Sequence, residues 1–90
     1  MIFEWDDQKA ASNFKKHGVS FQEAKTVFGD TISITVADPE HSESEYRFID
    51  IGLTERGRLL VVSYIERGTR IRIISSRLPL PTERALYEKG

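Results

Sequence analysis

The sequence predicts an α+β fold: two N-terminal helices and one C-terminal helix packed on an antiparallel four-stranded sheet, with room for a short N-terminal strand. Three observations carry this expectation. Capped helical segments fill the first thirty residues, a period of two takes over at Ile32, and Pro79 and Pro81 end the strand region before a last helical stretch. A chain of 90 residues makes one small domain spanning 1–90, since a second would lack a core of its own.

Ile2-Phe3-Glu4-Trp5 alternates weakly and suits a short leading strand. Asp6 is placed to cap a helix running to His17, because its carboxylate can accept from the first unpaired amides. Ala10, Phe14 and His17 share one face of that helix. Lys15, Lys16 and His17 put positive charge at its C-terminal end, and Gly18 stops it. Ser20 and Glu23 have the spacing of a capping box, with Val19 and Ala24 set to close a hydrophobic staple. Phe21, Ala24, Val27 and Phe28 form the apolar face of this second helix, which Gly29 ends.

Ile32, Ile34 and Val36 alternate with Ser33 and Thr35 as a one-sided strand. Residues 38–44 form a polar, acidic loop. Tyr46 to Leu53 is a second strand, with Arg47, Ile49, Ile51 and Leu53 on one face, and Leu59 to Glu66 a third. Arg67-Gly68 turns the chain into the fourth strand, Arg70 to Arg77. Short turns between successive strands argue an antiparallel meander whose far face is free to bind. Pro81 fits the first position of a helix reaching about Tyr87.

Composition removes several function classes. With no cysteine there is no disulfide framework, thiolate zinc site or cysteine nucleophile. Two histidines are too few for a histidine-rich metal site, and no glycine-rich phosphate loop or Ser-His-Asp order is present. No apolar run reaches membrane-spanning length, and the N-terminus lacks the basic and apolar regions of a secretion signal, so the expected location is cytoplasmic. A net charge of −1 is too low for generic polyanion binding. The charge is uneven, however: the first half is acidic and the second, which holds the 70–77 strand, is basic.

That strand sets Arg70, Arg72 and Arg77 among Ile71, Ile73 and Ile74. An arginine-rich strand end is a rigid place for an anion site, because guanidinium forks match phosphate oxygens. A bend after the strand would bring Arg77 and Arg84 to one cleft, with Arg47 joining from a neighbouring strand. The competing arrangement is a salt-bridge web in which Glu45 and Glu83 neutralise these arginines. His17 suits acid–base chemistry, because imidazole as a residue type exchanges protons most readily of all side chains at physiological pH, or is only a helix-end cation. Trp5, Tyr64 and Tyr87 can stack on bases or fill the core.

The chain resembles the BrnT family, toxins of type II toxin–antitoxin pairs. The residues that carry the likeness are Phe3-Glu4-Trp5-Asp6, Lys9, Asn13, Lys16-His17-Gly18-Val19, Phe21, Ala24, Phe28 and Asp30 in the first half. In the second they are Glu45, Arg47, Ile51-Gly52, Arg58, Val62, Tyr64, Arg72, Ile74-Ser75, Arg77, Glu83-Arg84 and Tyr87. The chain departs at Leu80, where the family often has Thr near the last helix cap. The resemblance implies a RelE/ParE-like fold and a small metal-independent endoribonuclease, with no cofactor, that blocks translation and growth. It implies Arg77 and Arg84 as phosphate binders and transition-state stabilisers, Arg47 as their helper, and His17 as an acid–base group. Lys16, Arg72 and Tyr87 are the expected RNA contacts. The implied partners are an RNA substrate and a cognate antitoxin, through which alone the chain would meet DNA, and no membrane. A toxin-like module that binds the antitoxin as co-repressor without catalysis is the alternative.

Overall fold

Asp6 opens the first helix as expected: its Oδ1 accepts from the amides of Gln8 (2.8 Å) and Lys9 (3.1 Å). Gly18 closes that helix in the left-handed conformation, at φ 70°. The computed structural model describes residues 1–38 and 46–90, so the expected 38–44 loop lies almost wholly outside it, with His41 and Glu45. The elements are β1 (Ile2–Glu4), α1 (Asp7–His17), α2 (Phe21–Ala24), a 3₁₀ turn (Lys25–Gly29), β2 (Ile34–Ala37), β3 (Tyr46–Leu53), β4 (Leu59–Arg67), β5 (Arg70–Arg77) and α3 (Pro81–Lys89). The capping box at Ser20 is half formed. Ser20 Oγ accepts from the Glu23 amide at 3.0 Å, while the Glu23 carboxylate turns away to Arg58.

The sheet differs from the four-stranded antiparallel expectation. It has five strands in the order β1-β5-β4-β3-β2, and it is mixed. β1 runs parallel to β5, with Ile2 opposite Arg70 and Glu4 opposite Arg72. Turn chemistry makes hairpin neighbours readable, but nothing local sets the pairing of two strands separated by most of the chain. The second face is also less open than expected. Tyr87 of α3 packs there against Ile49, Ile51, Leu59 and Val61.

The larger core lies on the opposite face, where α1, α2 and the 3₁₀ turn meet the sheet. Val19, Phe21, Ala24 and Val27 pack there with Leu60, Val62, Tyr64, Ile71 and Ile73. Full burial of side chains such as Phe21 and Leu60 is worth about 1.5–3 kcal/mol each. Phe28 joins this core edge-on to Tyr64, with ring centroids 4.9 Å apart. Ala10 is half-buried against it, but Phe14 remains 57% exposed, so the shared face of α1 is only partly used.

Gly52 faces the 3₁₀ turn so closely that a Cβ there would sit 2.9 Å from both Val27 Cγ1 and Ser33 Cβ. Gly52→Ala is therefore expected to cost about 1–3 kcal/mol through overpacking. Thermal melts check this, with a fall of roughly 4–8 °C per kcal/mol in a domain of this size; an unchanged melt would contradict it.

Two acidic groups sit in this core region. Glu23 receives Arg58 Nε and Nη2, both at 2.7 Å, and the Thr54 hydroxyl at 3.0 Å. The Arg58 hydrogen bonds hold its carboxyl below the usual range. Asp50 is 4% exposed and accepts from the Tyr64 hydroxyl at 2.8 Å. Burial pushes its pKa up, against the pull of the Thr35 and Tyr64 hydrogen bonds. A raised carboxyl favours the folded state below the unfolded pKa, and that contribution is lost as pH rises through the folded value. Asp50→Asn, which removes the buried charge, is expected to raise the melting temperature at pH 7 relative to wild type. The gain should shrink as pH falls toward 4. A destabilised variant at pH 7 would show that the charged form is what the core needs.

Candidate active site

β5 carries the arginines, and an irregularity in it decides where they point. Ser63 of β4 lies opposite Ser75 and Tyr64 opposite Ile73, so Ile74 is an extra residue. Without this bulge, Arg72 and Arg77 would alternate onto opposite faces. With it, Arg72 (opposite Ile65), Ser75 (opposite Ser63) and Arg77 (opposite Val61) share one face, the one that α3 partly covers. Arg47 of β3 is opposite Ile65 as well, on the same face. Arg47 and Arg72 are thus two strands apart, ~10 Å, and Arg72 and Arg77 are ~13 Å apart along the strand direction.

β1 pairs with only the first three residues of β5. The edge beyond is held by a side chain of α1. Asn13 Oδ1 accepts from the Ser76 amide at 3.1 Å, and its Nδ2 donates to the carbonyls of Ser76 (2.8 Å) and Val19 (3.2 Å). This buried amide stands in for a missing strand and sets α1 beside β5. Between them lies a groove of about 460 Å³, whose lining includes Lys9, Ser12, Lys16 and His17 of α1 with Ile74 and Ser75 of β5. Asp6 borders it, its carboxyl held down first by the Lys9 amide and further by the charges of Lys9 and Arg72. The structure therefore brings Lys16 and His17 together with Ser75. Arg77 follows two residues on, ~7 Å along the strand.

At the end of β5 the bend places Glu83 against Arg77. Arg77 Nη1 and Nη2 donate to the two Glu83 carboxylate oxygens at 2.7 and 2.8 Å. The Glu83 hydrogen bonds keep the guanidinium protonated, and Arg77 in turn holds the Glu83 carboxyl below its usual range. Glu83 Oε1 also accepts from the Leu80 amide at 2.8 Å. Leu80 has no side-chain acceptor to complete the box, so Glu83 and Pro81 together start α3. One limb of the salt-bridge web is thus present; the other expected partner, Glu45, is outside the described residues. Arg84 is exposed and makes no ion pair among the described residues. It lies one residue beyond Glu83, ~100° further round the helix.

Tyr87 is engaged elsewhere. Its hydroxyl donates to Asp30 Oδ2 at 2.6 Å, which pushes its pKa up to about 12, and its ring packs on the second core. Among the described residues no group of three His, Cys, Asp or Glu is placed to hold a metal ion. Lys9, Asn13 and Ser75 belong to the family likeness but, unlike Glu83, have no expected role at the site. Lys9 and Lys16 had a readable signal, since seven residues bring a helix back to the same face. The Asn13 bridge had none.

A family profile described as "Ribonuclease toxin, BrnT, of type II toxin-antitoxin system" matches residues 5–83. Among solved structures, the crystal structure of the Brucella abortus ribonuclease toxin BrnT is similar, with a TM-score of 0.63. The two are 20% identical, and the match covers 89% of this chain and 99% of that one. At that identity the likeness establishes the α+β fold alone. The comparison with curated proteins found no match.

Proposed function

The chain belongs to the BrnT family of ribonuclease toxins from type II toxin–antitoxin systems, and from that premise we propose that it is a cytoplasmic, metal-independent endoribonuclease. One RelE/ParE-like domain spanning residues 1–90 cleaves RNA, stops translation and arrests growth until a cognate antitoxin covers the sheet or the cleft. The chain meets DNA only through that antitoxin.

The observation that carries this reading is a groove at the edge of β5 that sets Lys9, Lys16 and His17 of α1 beside Ser75, two residues before Arg77 on the same strand. In metal-free cleavage the 2′-hydroxyl attacks the adjacent phosphorus, and the 5′-oxygen leaves. The reaction needs a base for the first proton, an acid for the leaving oxygen and cations for the charge that builds between them. His17 supplies proton transfer, and Arg77 and Arg84, helped by Arg47, stabilise the phosphorane. Lys16 and Arg72 hold neighbouring phosphates, and the exposed part of Tyr87 borders the RNA. Induced expression with total-RNA integrity scored alongside growth tests the reading. Arrest with RNA decay is expected; arrest with intact RNA would assign the chain another target.

The bidentate Arg77–Glu83 pair favours a second reading, an antitoxin-binding co-repressor without catalysis, because a neutralised arginine attracts phosphate weakly. In that case induction would leave both growth and RNA unchanged.

A further inference from the structure

The way Glu83 holds Arg77 leaves a specific part of the guanidinium free. A guanidinium has five N–H donors in a fixed plane. Glu83 takes one from Nη1 and one from Nη2, and the Leu78 carbonyl takes a second from Nη1 at 3.2 Å. What remains is Nε–H and one Nη2–H, which have no partner among the described residues. These two bonds lie parallel on one edge of the plane, the fork that matches two oxygens of a phosphate. The Arg77 side chain is 36% exposed, whereas that of Glu83 is 18% exposed.

Glu83 is itself fixed by the Leu80 amide at the first turn of α3. Strand end, helix start and guanidinium plane are therefore locked to one another. We propose that Glu83 is a positioning residue: it fixes the plane of Arg77 so that the Nε–Nη2 edge is presented to the scissile phosphate. This rests on the ribonuclease reading and adds a role for a carboxylate that otherwise only weakens the site. A positioning carboxylate lowers the net charge that attracts RNA but raises the fraction of time the fork is aimed correctly, and misplacement by about 1 Å can cost 10²-fold in rate.

Glu83→Gln separates these roles. The amide oxygen keeps the Leu80 and Nη1 bonds, so α3 still starts correctly, but the amide NH₂ faces the Nη2 donor and the plane is released. The full-length variant is compared with wild type in single-turnover cleavage of a mixed-sequence, single-stranded oligoribonucleotide. Binding is read with the 2′-deoxy version, which cannot be cleaved, and circular dichroism checks the fold. The expected result is cleavage slowed roughly 10-fold or more, with binding of the deoxy strand equal to or tighter than wild type. Arg77→Lys, which keeps the charge but has no fork, is expected to be slowed at least as much. Unchanged or faster cleavage by folded Glu83→Gln would overturn the positioning role, the faster case making Glu83 a mask. Cleavage retained by Arg77→Lys would overturn the fork. If the wild type itself leaves the RNA intact, the ribonuclease reading fails and this role with it.

Discussion

Arg77→Ala is expected to lower RNA cleavage by about 10²–10³-fold, the usual loss when one preorganised donor to a developing anion is removed. Growth arrest on induction should disappear with it. The structural cost should be small by comparison. Glu83 loses two hydrogen bonds from Arg77 but keeps the Leu80 amide. The pair is partly open to solvent, so about 1–2 kcal/mol is expected. Circular dichroism melts beside cleavage assays separate the two effects. A variant that melts a few degrees lower and no longer cleaves supports a site at the end of β5. A variant that does not fold makes the Arg77–Glu83 pair a structural bridge, and one that folds and cleaves normally removes Arg77 from the chemistry.

Asn13→Ala should give the largest loss of stability of any single change considered. It leaves the Ser76 amide, the Ser76 carbonyl and the Val19 carbonyl without their side-chain partner in a buried place. At about 1–3 kcal/mol for each unsatisfied buried group, the total reaches about 3 kcal/mol or more. A fall in melting temperature of at least ~12 °C follows for a domain of this size. Asn13→Asp should fare no better, because a carboxylate cannot donate to the two carbonyls it would face. Lys16→Ala, three residues on and exposed, is the control and should melt like wild type. A mild Asn13→Ala phenotype would show that α1 is held to β5 by its apolar contacts instead.

The parts of this fold set by local chemistry were legible before the structure. Asp6, Gly18, Ser20 and Pro81 mark helix boundaries that the structure keeps. The alternation in Tyr46–Leu53 placed Arg47 correctly with Ile49, Ile51 and Leu53. The parallel pairing of β1 with β5 was not legible, since it joins residues some seventy positions apart with no turn to announce it. The bulge at Ile74 was equally hidden, and it matters more for function. Strict alternation would have separated Arg72 from Arg77, and only the observed register puts them on one face. The residue types of the candidate site were readable, whereas their meeting depends on Asn13. Its side chain looks like any polar helix residue until the free edge of β5 is seen beside it.

The most direct test of the account is cleavage of single-stranded RNA by the purified chain in the presence of a chelator, with analysis of the new ends. Attack by the 2′-hydroxyl predicts that cleavage persists in chelator and leaves 2′,3′-cyclic phosphate or 3′-phosphate on one fragment and 5′-hydroxyl on the other. RNA left intact, or cleavage that stops with chelator and yields 5′-phosphate ends, would contradict it.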